Sequence, residues 1–446
     1  MVLLRSSTAK VCAVALSGLV VLGGARIALA TPEHAGQATQ SAIHEIDVTD
    51  LPATKEGQPS VAVNPRNPNN LVFVATIFPP SPGLEPPGQC FLAYSNDKGT
   101  TWTRVPWPMG DRPKCGEPTV AFDAHGTVYI DNNQISSGLA ANLVNHNVVS
   151  RSQDGGKTWT GPVTIPLLLS GAPTMRVDTA TGKVYAVAGA KWEYPSAISV
   201  SADGGQTFSE PRVIPGPLPC ITVATGIPES CGYPGRKIAV YGGILVSASQ
   251  EAGKPVNFHV SRDDGQTWTN VTVADSLGTA VPAGTGPLVP TPSLGAAADP
   301  EPWVSADPSR RGRFAVMVPR GSNLEVYVTP DAGKTWTGPS VITATNAQRP
   351  WMDFGSNGDL GVMWRTTKGD AFSVVSFDRG RSFSAPLQVN HVTEPVGQAG
   401  PPGDRWSGIT LADGYAYVTW SDGRNGSSLD AVLSRVPLSL YQRQTK

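Results

Sequence analysis

The sequence predicts an all-β fold, a β-propeller built from four-stranded antiparallel blades, and three observations support this prediction. A polar phrase that ends in an aromatic residue recurs six times between residues 95 and 384. A pair of short apolar segments around a turn recurs seven times in the same chain. The 48 Gly and 41 Pro are spread among Val, Leu and Ile, which favours many short strands over helices. The repeat count favours seven blades, with six as the alternative if a terminal unit is irregular.

The repeated phrase follows the pattern Ser/Thr-x-Asp-x-Gly-x-Thr/Ser-Trp/Phe, as in "SQDGGKTWT" from Ser152. An Asp that starts a tight turn accepts hydrogen bonds from nearby backbone N–H groups, and a Gly supplies the positive φ that the turn needs. The aromatic residue begins the next strand and turns inward to pack. We therefore expect a structural hairpin turn, whose Asp residues are Asp97, Asp154, Asp203, Asp263, Asp331 and Asp378.

Upstream of the turns, the paired segments begin at Gln58, Glu117, Ala172, Gly235, Glu301, Arg349 and Asp404. Two strands, a third, the turn and a fourth make one blade. The seventh pair is followed by "DAVLSRVPL", a third strand without the turn phrase. The alternating segment "IHEIDV" from Ile43 is expected to supply the missing outer strand and close the ring.

The N-terminus has the three parts of a secretory signal: basic residues, an apolar stretch and the small-residue site "ALA" before Thr31. We therefore divide the chain into a signal peptide over residues 1–30, an N-terminal segment over residues 31–50 and one propeller over residues 51–446. The protein is expected to be secreted, to the extracellular space or cell envelope, with no membrane span.

The formal charge of −1 and the 15% of charged residues argue against nucleic acid as a partner. Four cysteines follow the signal, and neighbours in sequence are the economical disulfide pairs, Cys90–Cys115 and Cys220–Cys231. Neither pair has the spacing of zinc ligands, and the six His are scattered. We therefore expect no metal and no cofactor.

The turn phrase resembles the Asp-box, or BNR repeat, of sialidases and other secreted propellers, over nearly the whole chain after the signal. The resemblance implies that these turns lie at the outer, lower side of the blades and act as scaffold. It also implies that a ligand binds at the mouth of the central channel, on the loops that enter the first strands.

A ring of carboxylates, arginines and indoles occurs where the first strands begin. Carboxylates can act as acid, base or nucleophile on a glycoside, and arginines hold anions bidentately. Glu117 and Glu301 are the candidate catalytic residues. The candidate substrate-binding residues are Arg236, Arg349, Arg405, Trp303, Trp351 and Trp406. The alternatives are that the tryptophans fill the space between blades and that the glutamates, each followed by Pro, cap strand starts.

Sialic acid hydrolysis, the activity the resemblance implies, uses three arginines, a Tyr–Glu pair and an Asp. Candidates in first-strand units are Arg176, Arg236, Arg349, Arg405 and Tyr233. Sialidases carry Phe/Tyr-Arg-Ile-Pro at the first strand, where this chain has "GQPSVAVNP". Two hypotheses follow: a secreted sialidase-like glycoside hydrolase acting on an extracellular glycan, or a non-catalytic propeller that binds a glycan or a protein. A monomer is expected in both cases.

Overall fold

A computed structural model describes residues 41–51, 54–78, 89–108, 115–135, 145–168, 171–189, 195–217, 232–233, 237–251, 255–273, 301–345, 347–366, 368–391, 407–424 and 429–441. Regular secondary structure there is almost entirely β-strand, with a short 3-10 turn at Leu438–Leu440. Within these ranges no helix is long and apolar enough to cross a bilayer. The predicted signal peptide lies outside them.

The strands form seven antiparallel sheets arranged as the blades of a propeller, so the prediction of seven blades is confirmed. Blade 1 contains β2 (Lys55–Val63), β3 (Leu71–Phe78), β4 (Gln89–Ser95) and β5 (Thr103–Arg104). Blade 2 contains β6 (Cys115–Phe122), β7 (Val128–Ile135), β8 (Asn145–Ser152) and β9 (Thr160–Leu168). Blade 3 contains β10 (Gly171–Val177), β11 (Val184–Gly189), β12 (Ala197–Ser201) and β13 (Arg212–Val213).

Blade 4 differs because its innermost strand is in two pieces that both pair with β16. It contains β14 (Gly232–Tyr233), β15 (Ile238–Tyr241), β16 (Ile244–Glu251), β17 (Val256–Ser261) and β18 (Thr269–Thr272). Blade 5 contains β19 (Trp303–Ala306), β20 (Phe314–Arg320), β21 (Asn323–Thr329) and β22 (Thr337–Thr343). Blade 6 contains β23 (Ala347–Phe354), β24 (Leu360–Thr366), β25 (Ala371–Ser376) and β26 (Leu387–Gln388).

Blade 7 is completed by the N-terminal strand, as the sequence predicted. It contains β27 (Gly408–Ala412), β28 (Tyr415–Asp422), β29 (Asp430–Pro437) and, from the other end of the chain, β1 (His44–Asp47). β1 pairs antiparallel with β29, with Ile46 opposite Leu433. Because the first and last segments share one sheet, the hydrogen bonds between β1 and β29 hold the ring closed.

Apolar side chains fill the space between neighbouring blades. Side chains alternate along a strand, so each sheet presents one face to the blade before it and the other to the blade after it. Val74 of blade 1 packs with Val128 and Ile130 of blade 2. Tyr129, on the opposite face of the same strand, packs with Met175 of blade 3. The core is therefore a series of layers between blades around the channel.

The repeated turns join the third strand of a blade to its fourth. In blade 2, Asp154 accepts hydrogen bonds from the Ser152 hydroxyl at 2.8 Å, the Thr158 N–H at 2.9 Å and the Thr158 hydroxyl at 2.6 Å. The Trp159 indole N–H closes the turn by donating to the Gly156 carbonyl at 2.9 Å. Gly156 has φ of 93°, a conformation that a side chain would strain.

We call the edge of the ring where the first strands begin the upper edge, and the edge where they end the lower edge. Successive strands in a blade run in opposite directions, so the third strand ends at the lower edge. The repeated turns therefore lie at the lower edge. The predicted catalytic and substrate-binding residues where the first strands begin, which we call the rim residues, lie at the opposite, upper edge.

Candidate functional site

A β-bulge recurs near the beginning of several first strands, at the upper edge. The pairing register shifts just before Ser60, Thr119, Thr174 and Trp351. A bulge inserts one unpaired residue and re-aims its side chain. Four different repeats therefore share one local distortion at the position where the sequence placed its rim residues.

Three of these bulges contain a strained residue in front of a proline. Gln58, Glu117 and Arg349 have φ of 57°, 54° and 51°. Residues other than Gly rarely adopt positive φ, and a following proline disfavours helical conformations for the residue before it. Such strain costs about 1–3 kcal/mol per residue and is concentrated at functional sites. The shared conformation marks this position as a candidate for ligand contact.

A hydrogen-bond network links the first two of these residues. The Gln58 side-chain carbonyl accepts from the Thr76 hydroxyl at 2.6 Å and from the Glu117 backbone N–H at 3.0 Å. The Glu117 carboxylate accepts from the Asn133 amide at 2.7 Å. Gln58 and Thr76 are buried, so they hold the backbone of blade 2 against blade 1. The network therefore fixes the orientation of the Glu117 carboxylate.

The two described tryptophans of the rim contact each other and a lysine. The ring centroids of Trp303 and Trp351 are 3.9 Å apart, and the planes cross at 46°. The Lys237 ammonium lies 4.2 Å from the Trp303 centroid and 5.2 Å from that of Trp351. The Trp303 indole donates to the Met352 carbonyl at 2.8 Å. Trp303 is only 5% exposed, which fits the alternative of packing between blades, whereas Trp351 is half-buried.

A cavity of about 600 Å³ occupies the central channel. Its described lining extends from the middle of the first strands to the turns at the lower edge, and it includes Trp351. Glu117, Glu301 and Arg349 are absent from that described lining. Glu301 precedes β19 and is 4% exposed. The structure therefore does not bring the predicted carboxylates together in the described part of the cavity.

Seven equivalent residues, each one position before the end of its first strand, form a ring around this cavity. They are Ala62, Ala121, Arg176, Val240, Ser305, Asp353 and Leu411. Four are apolar and three are polar. The polar ones belong to blades 3, 5 and 6, so the two charged residues, Arg176 and Asp353, lie on opposite sides of the ring.

Asp353 and Arg176 interact electrostatically across this ring. The Asp353 carboxylate accepts from the Ser305 hydroxyl at 2.8 Å and from the Phe354 N–H at 3.0 Å. Burial raises the pKa of Asp353, although Arg176 and these hydrogen bonds oppose the rise. Burial likewise lowers the pKa of the Arg176 guanidinium, which donates to the Met175 carbonyl at 3.1 Å. Both side chains are half-buried because they face the cavity.

Sequence reasoning named Arg176 among several first-strand arginines and missed Asp353. The predicted rim residues lie at the starts of the first strands, whereas Asp353 lies near the end of the strand that contains Arg349 and Trp351. An alignment of the repeats at the ends of the first strands places Arg176 and Asp353 at equivalent positions. Three other predicted residues, Arg236, Arg405 and Trp406, lie outside the described residues.

The predicted disulfides stay predictions. Cys90 is buried at the start of β4. Cys220 and Cys231, and the side chain of Cys115, lie outside the described part of the chain.

Within the described residues, no three or more His, Cys, Asp or Glu side chains form a group that could hold a metal.

Comparisons with known proteins yield fold neighbours alone. No family model matches the chain, and no curated protein matches it. Among solved structures, it is similar to YCF48 from Cyanidioschyzon merolae, with 14% identity, 89% and 99% coverage of the two chains and a TM-score of 0.47. The NanB sialidase from Streptococcus pneumoniae has 14% identity, 89% and 70% coverage and a TM-score of 0.43. An ulvan lyase has 13% identity, 89% and 96% coverage and a TM-score of 0.46. We draw no functional conclusion from these likenesses.

Proposed function

We propose that this protein is a secreted, sialidase-like glycoside hydrolase that acts on an acidic extracellular glycan in its central channel. The observation that carries the proposal is that the Asp353 carboxyl group and the Arg176 guanidinium both line the cavity. A carboxyl with a raised pKa can keep a proton for a leaving group, as a general acid must. A guanidinium in the same cavity can bind a carboxylate on the sugar through two parallel hydrogen bonds.

The neighbouring side chains support these roles. Ser305 donates to Asp353 and so holds its carboxyl group in one orientation. Trp351 lines the same cavity two residues before Asp353 and offers a flat surface to a pyranose ring. Glycoside hydrolysis needs a second carboxylate. We assign this role to Glu117, whose carboxylate is oriented by Asn133 at the upper edge.

A non-catalytic, glycan-binding propeller is the second candidate, and one observation favours it. The described lining of the cavity contains two acidic residues, Asp353 and Asp413. Asp413 lies at the lower edge and pairs with Lys98 of blade 1. A single deep carboxylate is sufficient for binding and insufficient for the two-carboxylate mechanism. Hydrolysis therefore requires that Glu117 come within about 5–10 Å of Asp353, on either side of the same glycosidic bond.

The test measures cleavage and binding separately on a panel of acidic and neutral polysaccharides and sialosides. New reducing ends report hydrolysis, and calorimetry reports binding. Asp353→Asn should lower turnover by at least about 100-fold and change binding much less, because it keeps the shape and removes the acid. Arg176→Lys should weaken binding of acidic ligands, because a lysine ammonium group cannot form the two parallel hydrogen bonds that a guanidinium donates to a carboxylate. The exposed Glu210→Gln serves as the control variant.

The same assay tests the predicted rim residues with the variants Glu301→Gln and Arg349→Lys. If both keep wild-type turnover and binding, these residues are structural. Binding by the wild type without new reducing ends would favour the second candidate. If Asp353→Asn and Arg176→Lys behave like the wild type toward every ligand it recognises, the channel assignment is wrong.

A further inference from the structure

Several buried oxygen atoms on one face of blade 2 have no hydrogen-bond donor among the described residues. They are Thr119 Oγ1, Asp131 Oδ1, Asp131 Oδ2, Asn133 Oδ1 and Asn147 Oδ1. Their residues are at most 5% exposed, and Asp131 and Asn147 are fully buried. Buried polar groups in proteins are nearly always paired, and an unpaired one costs about 1–3 kcal/mol. Five such atoms in one blade require a common explanation.

Strand register places these four side chains next to one another. Thr119 lies opposite Asp131 across β6 and β7, and Asn133 lies opposite Asn147 across β7 and β8. Asp131 and Asn133 are two residues apart on one strand, so they point to the same face. That face is the one on which Tyr129 packs against blade 3. The unpaired oxygens therefore share one patch between blades 2 and 3.

The patch contains one carboxyl group, that of Asp131, and no base is paired with it among the described residues. Arg151 lies on the same face, but its guanidinium donates to the Gly204 carbonyl of blade 3 at 2.8 Å. The Asn133 amide nitrogen is also committed, because it donates to Glu117. The patch thus presents a carboxyl group and neutral side-chain oxygens, together with the unpaired Asn147 amide nitrogen, in a dry interior.

We propose that a calcium ion binds between blades 2 and 3, coordinated by Asp131 and by the side-chain oxygens of Asn133, Asn147 and Thr119. Calcium accepts six to eight oxygen ligands, including carboxylates and amide carbonyls, in flexible geometry. Magnesium demands octahedral geometry and retains several waters, which fits this closed patch poorly. The four proposed ligands include no His or Cys, which are the preferred ligands of zinc and copper.

The ion would stabilise blade 2 by joining its first three strands. The Asn133 side chain would hold the ion through Oδ1 while its amide nitrogen orients the Glu117 carboxylate. The sequence analysis expected no metal because it searched for His and Cys spacing. Oxygen ligands that come from three strands leave no such spacing in the sequence.

The experiment is elemental analysis of the purified full chain, followed by calorimetric titration of chelator-treated protein with CaCl₂. We expect about one calcium per chain and a saturable calcium-dependent rise in melting temperature. Asp131→Asn should abolish both. Asn147→Asp, which adds a ligand charge, should tighten calcium binding by about tenfold. Glu56→Gln, at a buried carboxyl in another blade, is the matched control and should bind calcium like the wild type.

Three outcomes would overturn the proposal. One is a folded wild type that neither contains calcium nor binds it at millimolar concentration. Another is an Asp131→Asn variant that binds calcium as well as the wild type does. The third is a crystal structure grown with calcium in which waters, or sodium, occupy this patch. None of these results bears on the channel, so the site can fail while the proposed function stands.

Discussion

The seam where the ring closes contains a buried carboxyl that should make stability depend on pH. Glu56 is fully buried near the beginning of β2, the first strand of blade 1. Its backbone N–H donates to the Leu429 carbonyl of blade 7 at 2.7 Å, and its carboxyl group accepts hydrogen bonds from the Thr54 and Thr49 hydroxyls. The carboxylates of Asp47 and Asp430 also lie close enough to repel a charge on Glu56. Glu56→Gln removes that charge with little change of shape.

The sign and size of the effect follow from the pKa of Glu56. Burial, chiefly, and the nearby carboxylates raise this pKa from 4.5 to about 7 in the folded protein. Below about pH 4.5 the folded and unfolded states both hold the proton. Between about pH 4.5 and 7 the unfolded chain has released it and the folded protein keeps it. The free energy of unfolding therefore falls as the pH rises through this window. The full difference corresponds to at most about 3 kcal/mol.

The assay is urea unfolding of wild type and Glu56→Gln at several pH values from 4.5 to 8. Contributions from titrating groups that do not interact with Glu56 cancel in the difference between the two proteins. We expect the variant to gain up to about 3 kcal/mol relative to the wild type across this range, less where Asp47 and Asp430 share the titration. The exposed Glu210→Gln variant should track the wild type. A difference between Glu56→Gln and wild type that stays constant with pH would refute the reasoning.

Two further predictions concern the scaffold. Asp154→Ala should lower the free energy of unfolding by about 1–2 kcal/mol, because the turn hydrogen bonds are lost; glycan binding by the folded fraction should not change, and lost binding at normal stability would contradict the structural role. Mass mapping of the secreted protein should find an N-terminus at Thr31 and the bridges Cys90–Cys115 and Cys220–Cys231; a free thiol at any of the four would contradict the pairing.

The blade count and the ring closure could be predicted because the same short sequence pattern occurs many times, although each single copy predicts little. One phrase such as "SQDGGKTWT" predicts a turn and nothing larger. Six copies, each preceded by three short apolar segments, predict a sheet that repeats around an axis. The pairing of β1 with β29 followed from a missing outer strand in the last unit. By contrast, the break between β14 and β15 has no counterpart in the other repeats, so the alignment could not predict it.

The repeats also predicted which residues occupy equivalent positions at the starts of the first strands. They did not predict the contacts that these residues make. The alignment placed Gln58, Glu117 and Arg349 at one position, and all three adopt the same positive φ. The rotation between adjacent blades decides which side chains come close enough to form a hydrogen bond. A single sequence does not contain that rotation. The Gln58–Glu117 and Trp303–Trp351 contacts cross blade boundaries, and so neither follows from the repeat.

The channel ring shows why departures from the repeat carry more functional information than the repeat does. Seven equivalent positions face one axis, and closing the ring needs small or apolar side chains there, as at Ala62, Ala121 and Val240. A charged side chain at such a position gains nothing for packing and carries a desolvation penalty. Arg176 and Asp353 offset part of this penalty for each other from different blades. A structural ion pair could equally be replaced by apolar residues without loss of stability. This cost of placing two charges in the channel is the physical reason for the proposal that a ligand enters the cavity between them.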